Sequence, residues 1–112
     1  MKLDFFIMTS TKENGHTEYG NTEYVIAAQD STGNRYQLND SVLVNSDKTD
    51  RECRDIQNRR IIRMLQAIAY GKQPNLANWT RIAPAVNSEA FNKLNATQQQ
   101  AIKDTHVASF SV

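Results

Sequence analysis

One segment, residues 49–71, constrains the fold of this chain more than any other. Thr49 and Glu52 have the spacing of a capping box, in which each side chain hydrogen-bonds to the backbone amide of the other residue. Gly71 is typical of the residue that ends a helix, and Pro74 follows shortly after it. Because these signals enclose apolar residues at helical spacing, they predict one long amphipathic helix.

Five arginines lie on this predicted helix, and two of them lie at its apolar face. With successive residues turned by about 100°, Arg60 falls among the core-facing positions and Arg54 borders them. A buried guanidinium without a partner is too costly to persist. We therefore expect Arg60 to extend to solvent, to pair with Glu89 or Asp104, or to bind an acidic partner. The core-facing positions are Cys53, Ile56, Gln57, Arg60, Ile61, Met64, Leu65 and Ile68.

The opposite face of the helix carries an excess of positive charge. Asp55, Arg59 and Arg63 follow one another at four-residue spacing, which predicts one favourable pair and one like-charge neighbour. Arg59 and Arg63 are therefore candidate contacts for phosphate or carboxylate groups. An ordinary solvated helix face explains the same pattern.

Residues 1–46 have the pattern of a β-meander. Apolar or alternating runs at residues 3–9, 24–29 and 36–44 predict antiparallel strands, and residues 30–34 between the last two predict a hairpin loop. In the third run, the residues expected on one face are Tyr36, Leu38, Val42 and Val44. The pair Asn39 and Asp40 indicates a turn or bulge inside that run.

A long polar connection, residues 11–22, precedes the second strand. It repeats a Thr-Glu-Tyr phrase and contains glycines typical of turns. A duplicated turn phrase is the simplest explanation. A protruding loop with His16, Glu18 and Tyr19 is nevertheless a place where we expect contacts with a partner.

Residues 72–112 predict an irregular link, short helices and a tail. Residues 79–82 suggest a short strand, and helix signals start near Ser88 and again at Asn95. In residues 107–112 at the end, apolar residues alternate with serines, which indicates a strand or a tail that becomes ordered on contact. The whole chain, residues 1–112, is thus predicted to be a single α+β domain. We expect a small antiparallel sheet of N-terminal strands packed against the long amphipathic helix, with one or two short C-terminal helices.

The residue types needed for most kinds of catalysis do not cluster in the sequence. Cys53 is the single cysteine, and its position on the apolar helix face predicts a core residue. His16 and His106 lie far from it in the chain, and no set of three or four metal ligands has suitable spacing. We therefore expect a protein that is not an enzyme, with no metal and no cofactor.

Charge and hydropathy exclude further classes of protein. The 13 Lys and Arg residues nearly balance the 12 Asp and Glu residues, so a general nucleic-acid condenser is not indicated. The apolar start is too short for a membrane span or an export signal, which favours a soluble cytoplasmic protein without membrane contact.

Two functions remain open from the sequence. The small size and the richness in Asn, Gln and Thr are similar to those of accessory proteins of phages and mobile elements, which implies a non-enzymatic module that inhibits or redirects a host protein complex by protein contact. Arg54, Arg59, Arg60 and Arg63 and the polar loop are its expected contacts. The alternative is a small nucleic-acid-binding regulator. In that case sheet aromatics would stack on bases while Arg51, Arg54, Arg59 and Arg63 hold the backbone.

Self-association is a further expectation. Ile62 lies near the polar side of the helix and Phe110 lies in the tail, so both offer apolar surface to a second copy.

Overall fold

The computed structural model describes residues 2–9, 20–72, 75–104 and 109–111. In this part of the chain, one layer is an antiparallel sheet whose strands are β1 (Asp4–Thr9), β2 (Glu23–Gln29), β3 (Arg35–Leu38), β4 (Leu43–Val44), β5 (Trp79–Ile82) and β6 (Ser109–Ser111). The strand order is β5, β3, β2, β1, β6, and the short β4 also pairs with β2. The predicted α+β class is confirmed. The sheet is larger than expected, because β5 and β6 from the C-terminal third add to both of its edges.

The third predicted strand is two strands. Asp40 has a φ of 59°, and the chain leaves the sheet between β3 and β4. The turn expected at Asn39 and Asp40 is therefore confirmed. The expected alternation beyond it is wrong, because the turn shifts the pattern: Leu43 packs against the core, whereas Val42 is exposed.

The second layer is helix α1 (Asp50–Ala69), which begins and ends as its sequence signals indicate. The Glu52 amide donates to the Thr49 hydroxyl at 3.1 Å, and the Thr49 amide donates to the Glu52 carboxylate at 3.4 Å. The helix stops at Tyr70, and Gly71 follows with a φ of 84°. The capping box and the glycine stop are confirmed.

Helix α1 covers one face of the sheet and forms the larger apolar core with it. Cys53 and Ile61 lie on the inner side of α1 and are completely buried against β1 and β2. The strand residues of this buried cluster are Phe5, Ile7, Tyr24, Ile26 and Ala28. A second cluster lies on the other face of the sheet and is built around Met8, Val25 and Ala27.

The C-terminal segment packs against the hairpin loop between β2 and β3. It contains a 3-10 turn (Leu76–Asn78) and the short helices α2 (Glu89–Asn92) and α3 (Ala96–Lys103). Ser88 caps α2 and Asn95 caps α3, as predicted. The Ala85 amide donates to the Gly33 carbonyl, and the Ala90 amide donates to the Thr32 carbonyl, both at 2.9 Å. These two bonds fix the start of α2 on the hairpin.

Candidate functional site

A glutamine occupies the most buried polar position on α1. Gln57 has no exposed surface, although it lies among apolar residues of the inner helix side. Its side-chain amide donates to the Tyr24 carbonyl at 3.0 Å and to the Ser41 carbonyl at 2.6 Å. Both amide protons of Gln57 are therefore used to join α1 to the sheet and to the turn after β3.

Ser41 continues this network into the turn between β3 and β4. Its hydroxyl donates to the Leu38 carbonyl at 2.7 Å and accepts from the Ile26 amide at 3.1 Å. The chain can leave the sheet at residues 39–42 because these side chains satisfy backbone groups that β3 and β4 no longer pair. The turn is thus held in one place beside α1.

Arg60 does not enter the core. Its guanidinium is exposed, and Nη1 donates to the Gln57 side-chain carbonyl at 3.0 Å. Of the alternatives for Arg60, extension to solvent is confirmed, and pairing with Glu89 or Asp104 is wrong: Glu89 pairs with Lys93, and Asp104 accepts from the Gln100 side chain. Gln57 takes the inner position because its neutral amide can be desolvated at a far lower cost than a guanidinium.

Arg60 lines a groove of about 400 Å³ that lies between α1 and the C-terminal end of β3. The apolar residues that line it are Ile26, Leu38 and Met64, and the polar lining residues are Asn39, Asp40, Ser41 and Asn78. Five of the eight lining residues are polar, so the groove offers mainly hydrogen-bonding groups around a small apolar patch.

Arg59 and Arg63 extend the positive charge of Arg60 along the outside of α1. Both are exposed, and neither has a carboxylate within 4 Å among the residues that the structure describes. The expected pair of Asp55 with Arg59 is therefore wrong. Arg60 and Arg63 are one helical turn apart, so their guanidinium groups lie on the same side of the helix.

Arg54 is separated from these three arginines. It is half-buried and lies on the opposite border of the inner helix side. Burial and a hydrogen bond with Asp50 raise the pKa of the Tyr24 phenol, while the positive charge of Arg54 opposes that rise. Arg54 thus lies near the Tyr24 end of the core, away from the groove.

Two of the sheet aromatics that could stack on bases are covered by the helix. Phe5 is 8% exposed and Tyr24 is 2% exposed, because α1 covers this face of the sheet. On the other face, the Arg35 guanidinium lies 5.0 Å from the centroid of the Phe6 ring. Tyr36 is half-buried. Phe5 and Tyr24 are therefore not accessible for stacking on bases, whereas the half-buried Phe6 and Tyr36 leave that alternative a prediction.

The remaining candidate residues fall in two groups. His16, Glu18 and Tyr19 lie outside the described residues, so their role in partner contact stays a prediction. Cys53 is a buried core residue as predicted, and burial raises the pKa of its thiol, which makes it a poor nucleophile. Within the described ranges, no three His, Cys, Asp or Glu side chains come together as metal ligands would.

The sequence did not single out the polar groups of the groove. Asn39 and Asn78 each begin an Asn-x-Ser/Thr triplet, a pattern that points to glycosylation and not to a groove. The turn expected at Asn39 and Asp40 was the one signal that this region is irregular. Gln57 carried a second signal, since a glutamine amid apolar helix positions must find hydrogen-bond partners when it is buried.

Comparison with known proteins adds no family to these observations. The chain matches no protein-family model, no curated protein and no solved structure at a significant level. In the described part of the chain, no helix has the length and apolar character needed to cross a membrane.

Proposed function

We propose that this chain is a non-enzymatic binding module that acts by contact with another protein. The contact surface is the arginine side of α1, which we define as Arg59, Arg60 and Arg63. In line with its size and composition, the module inhibits or redirects a host protein complex, as an accessory protein of a phage or mobile element would. Such a protein acts by occupying a surface and needs no catalytic group.

The observation that supports this proposal is the absence of acidic partners for these three arginines among the described residues. Exposed guanidinium groups that pair with no carboxylate inside the molecule retain donors for carboxylates of another protein. They also lie on one continuous strip of α1 and are held in place by the fixed helix.

Two observations make protein a better partner than nucleic acid. Two of the aromatic residues that would stack on bases, Phe5 and Tyr24, are buried, and the Arg35 guanidinium lies over the ring of a third, Phe6. Glu52 and Asp55 are exposed on the same helix as the arginines. The helix surface therefore mixes acidic and basic groups instead of forming a uniform cationic stripe.

Capture of a partner tests the proposal. The tagged full chain, an Arg59→Ser/Arg63→Ser variant and an Arg51→Ser variant are incubated with lysate of the source organism. Arg51 is the control, because it is exposed on α1 and lies about 12 Å along the helix axis from Arg59 at 1.5 Å per residue. We expect a specific protein to be retained by wild type and Arg51→Ser and depleted about ten-fold or more from the double variant.

A gel-shift assay at two salt concentrations, with single- and double-stranded DNA and RNA, completes the test. Phosphate binding through several arginines would give retention that falls steeply with salt. We expect no such retention. Tight, salt-sensitive binding that also requires Arg51, or protein capture that is equal for all three chains, would contradict the proposal.

A further inference from the structure

We infer that the groove beside Arg60 binds a short acidic segment of the partner protein, with an Asp or Glu carboxylate on the Arg60 guanidinium and an adjacent aliphatic side chain on the groove floor. This inference rests on the proposed function and names the chemistry that the partner must present. Its basis is the set of donors and the apolar surface that the fold brings together at this point.

Arg60 is positioned to receive a carboxylate. One of its guanidinium N–H groups is used by the Gln57 side chain, which fixes the orientation of the planar group. The remaining N–H groups have no acceptor among the described residues. An oriented guanidinium with several open donors is the geometry that binds a carboxylate through two hydrogen bonds.

Two asparagines among the lining residues add donors. The Asn39 side-chain carbonyl accepts from the Thr80 hydroxyl at 2.6 Å, which leaves the Asn39 NH2 group to donate elsewhere. Asn78 also lines the groove, and its side chain bonds to no other described residue. Asn39 and Asn78 can therefore bind the backbone of an extended peptide.

The floor of the groove fits an aliphatic side chain. Leu38 and Met64 are half-buried and supply the accessible apolar surface of this floor, since Ile26, which also lines the groove, is fully buried. Leu and Ile side chains would cover apolar atoms that now face water, at about 25 cal/mol for each Å² buried.

The balance of charge around the groove favours an acidic occupant. Arg60 lines the groove, and Arg59 and Arg63 lie beside it on the same helix, whereas Asp40 is the one acidic residue in the lining. A carboxylate placed near Arg60 is therefore attracted by more charges than repel it.

The experiment uses the full chain and a displayed library of random short linear peptides. Peptides that the wild-type chain enriches are sequenced, and the tightest is synthesised together with its Asp→Asn or Glu→Gln form. We expect enriched peptides to contain an acidic residue next to Leu, Ile or Val. Both peptides are then titrated against wild type, Arg60→Gln, Arg60→Lys and the control Arg51→Gln, each first checked for a folded NMR spectrum.

A direct contact between the Arg60 guanidinium and the peptide carboxylate has a distinctive signature in the measured affinities. Arg60→Gln and the neutral peptide should each weaken binding about ten-fold or more, and the two changes together should cost little beyond either alone. Arg60→Lys should retain part of the affinity, since it keeps the charge and loses the planar fork. Arg51→Gln should bind as wild type does. The peptide should shift the NMR signals of the Asn39 and Asn78 side-chain amides.

Three results would overturn this inference: enrichment of peptides without an acidic residue, no enrichment at all, or effects of Arg60→Gln and the neutral peptide that simply add. Each of these can occur while the Arg59→Ser/Arg63→Ser variant still loses its captured partner. In that case the proposed function stands and the groove is not the place of contact.

Discussion

Replacement of Gln57 by Leu should lower the free energy of unfolding by about 3 kcal/mol. Leu has a similar volume and fills the space, but the Tyr24 and Ser41 carbonyls lose the donor that now lies within 3.0 Å and 2.6 Å of them. Each buried polar group left without a partner costs about 1 to 3 kcal/mol. Urea unfolding monitored by circular dichroism measures the change.

The matched control is Gln66→Leu, the same substitution on the same helix at an exposed position. A surface change of this kind should alter the stability by less than about 0.5 kcal/mol. Equal stability of the two variants would contradict the network described for Gln57. The Gln57 variant should also move the NMR signals of residues 39–42, because the turn loses its anchor on α1.

Replacement of Gly33 by Ala is the second change with a large expected effect, a loss of about 2 to 5 kcal/mol. Gly33 has a φ of 96°, where a residue with a Cβ is strained. The new methyl group would also overlap the side chain of Ser88, which caps α2. Because Ser88 is tied to the hairpin through the Ala85 and Ala90 amides, relief requires the hairpin and the C-terminal segment to separate.

Gly71→Ala separates the cost of backbone strain from the cost of the overlap with Ser88. Gly71 has a similar φ of 84°, and a Cβ there would meet nothing within 4 Å. Its substitution should cost about 1 kcal/mol from backbone strain alone. The difference between the two variants in thermal or urea unfolding measures the packing of the hairpin on Ser88. Identical losses would show that this contact contributes nothing.

The helix and its limits could be predicted from the sequence because their causes are local. The Thr49 hydroxyl and the Glu52 carboxylate lie three residues apart, and Gly71 adopts a conformation that other residues avoid. The same holds for the caps Ser88 and Asn95. Each signal acts within one helical turn, so no knowledge of distant residues is needed.

The sheet edges and the groove depend on long-range contacts that no local pattern encodes. The pairing of β5 with β3 joins Leu38 to Trp79, and β6 joins β1 from the far end of the chain. The alternation of the third predicted strand does not place Leu43 in the core, because the turn after Leu38 changes which residues face α1. These features follow from how separate segments pack.

Arg60 shows the same limit at the candidate site. Periodicity placed both Gln57 and Arg60 on the inner side of α1, three residues apart. Which of the two is buried depends on the angle at which the helix meets the sheet, and on the carbonyls of Tyr24 and Ser41 that receive the amide. The sequence could thus indicate an unusual polar group at this face, although not its partners or the groove.

Hydrogen exchange at the Gln57 side chain tests most directly whether the glutamine points inward and the arginine side of α1 remains open to a partner. The NH2 signal is assigned by its loss in Gln57→Leu, and exchange in D2O is followed by NMR beside the exposed Gln66. We expect the Gln57 amide protons to persist long after those of Gln66 have exchanged. Equally fast exchange of the two would contradict the buried anchor, and with it the placement of Arg60 at the groove.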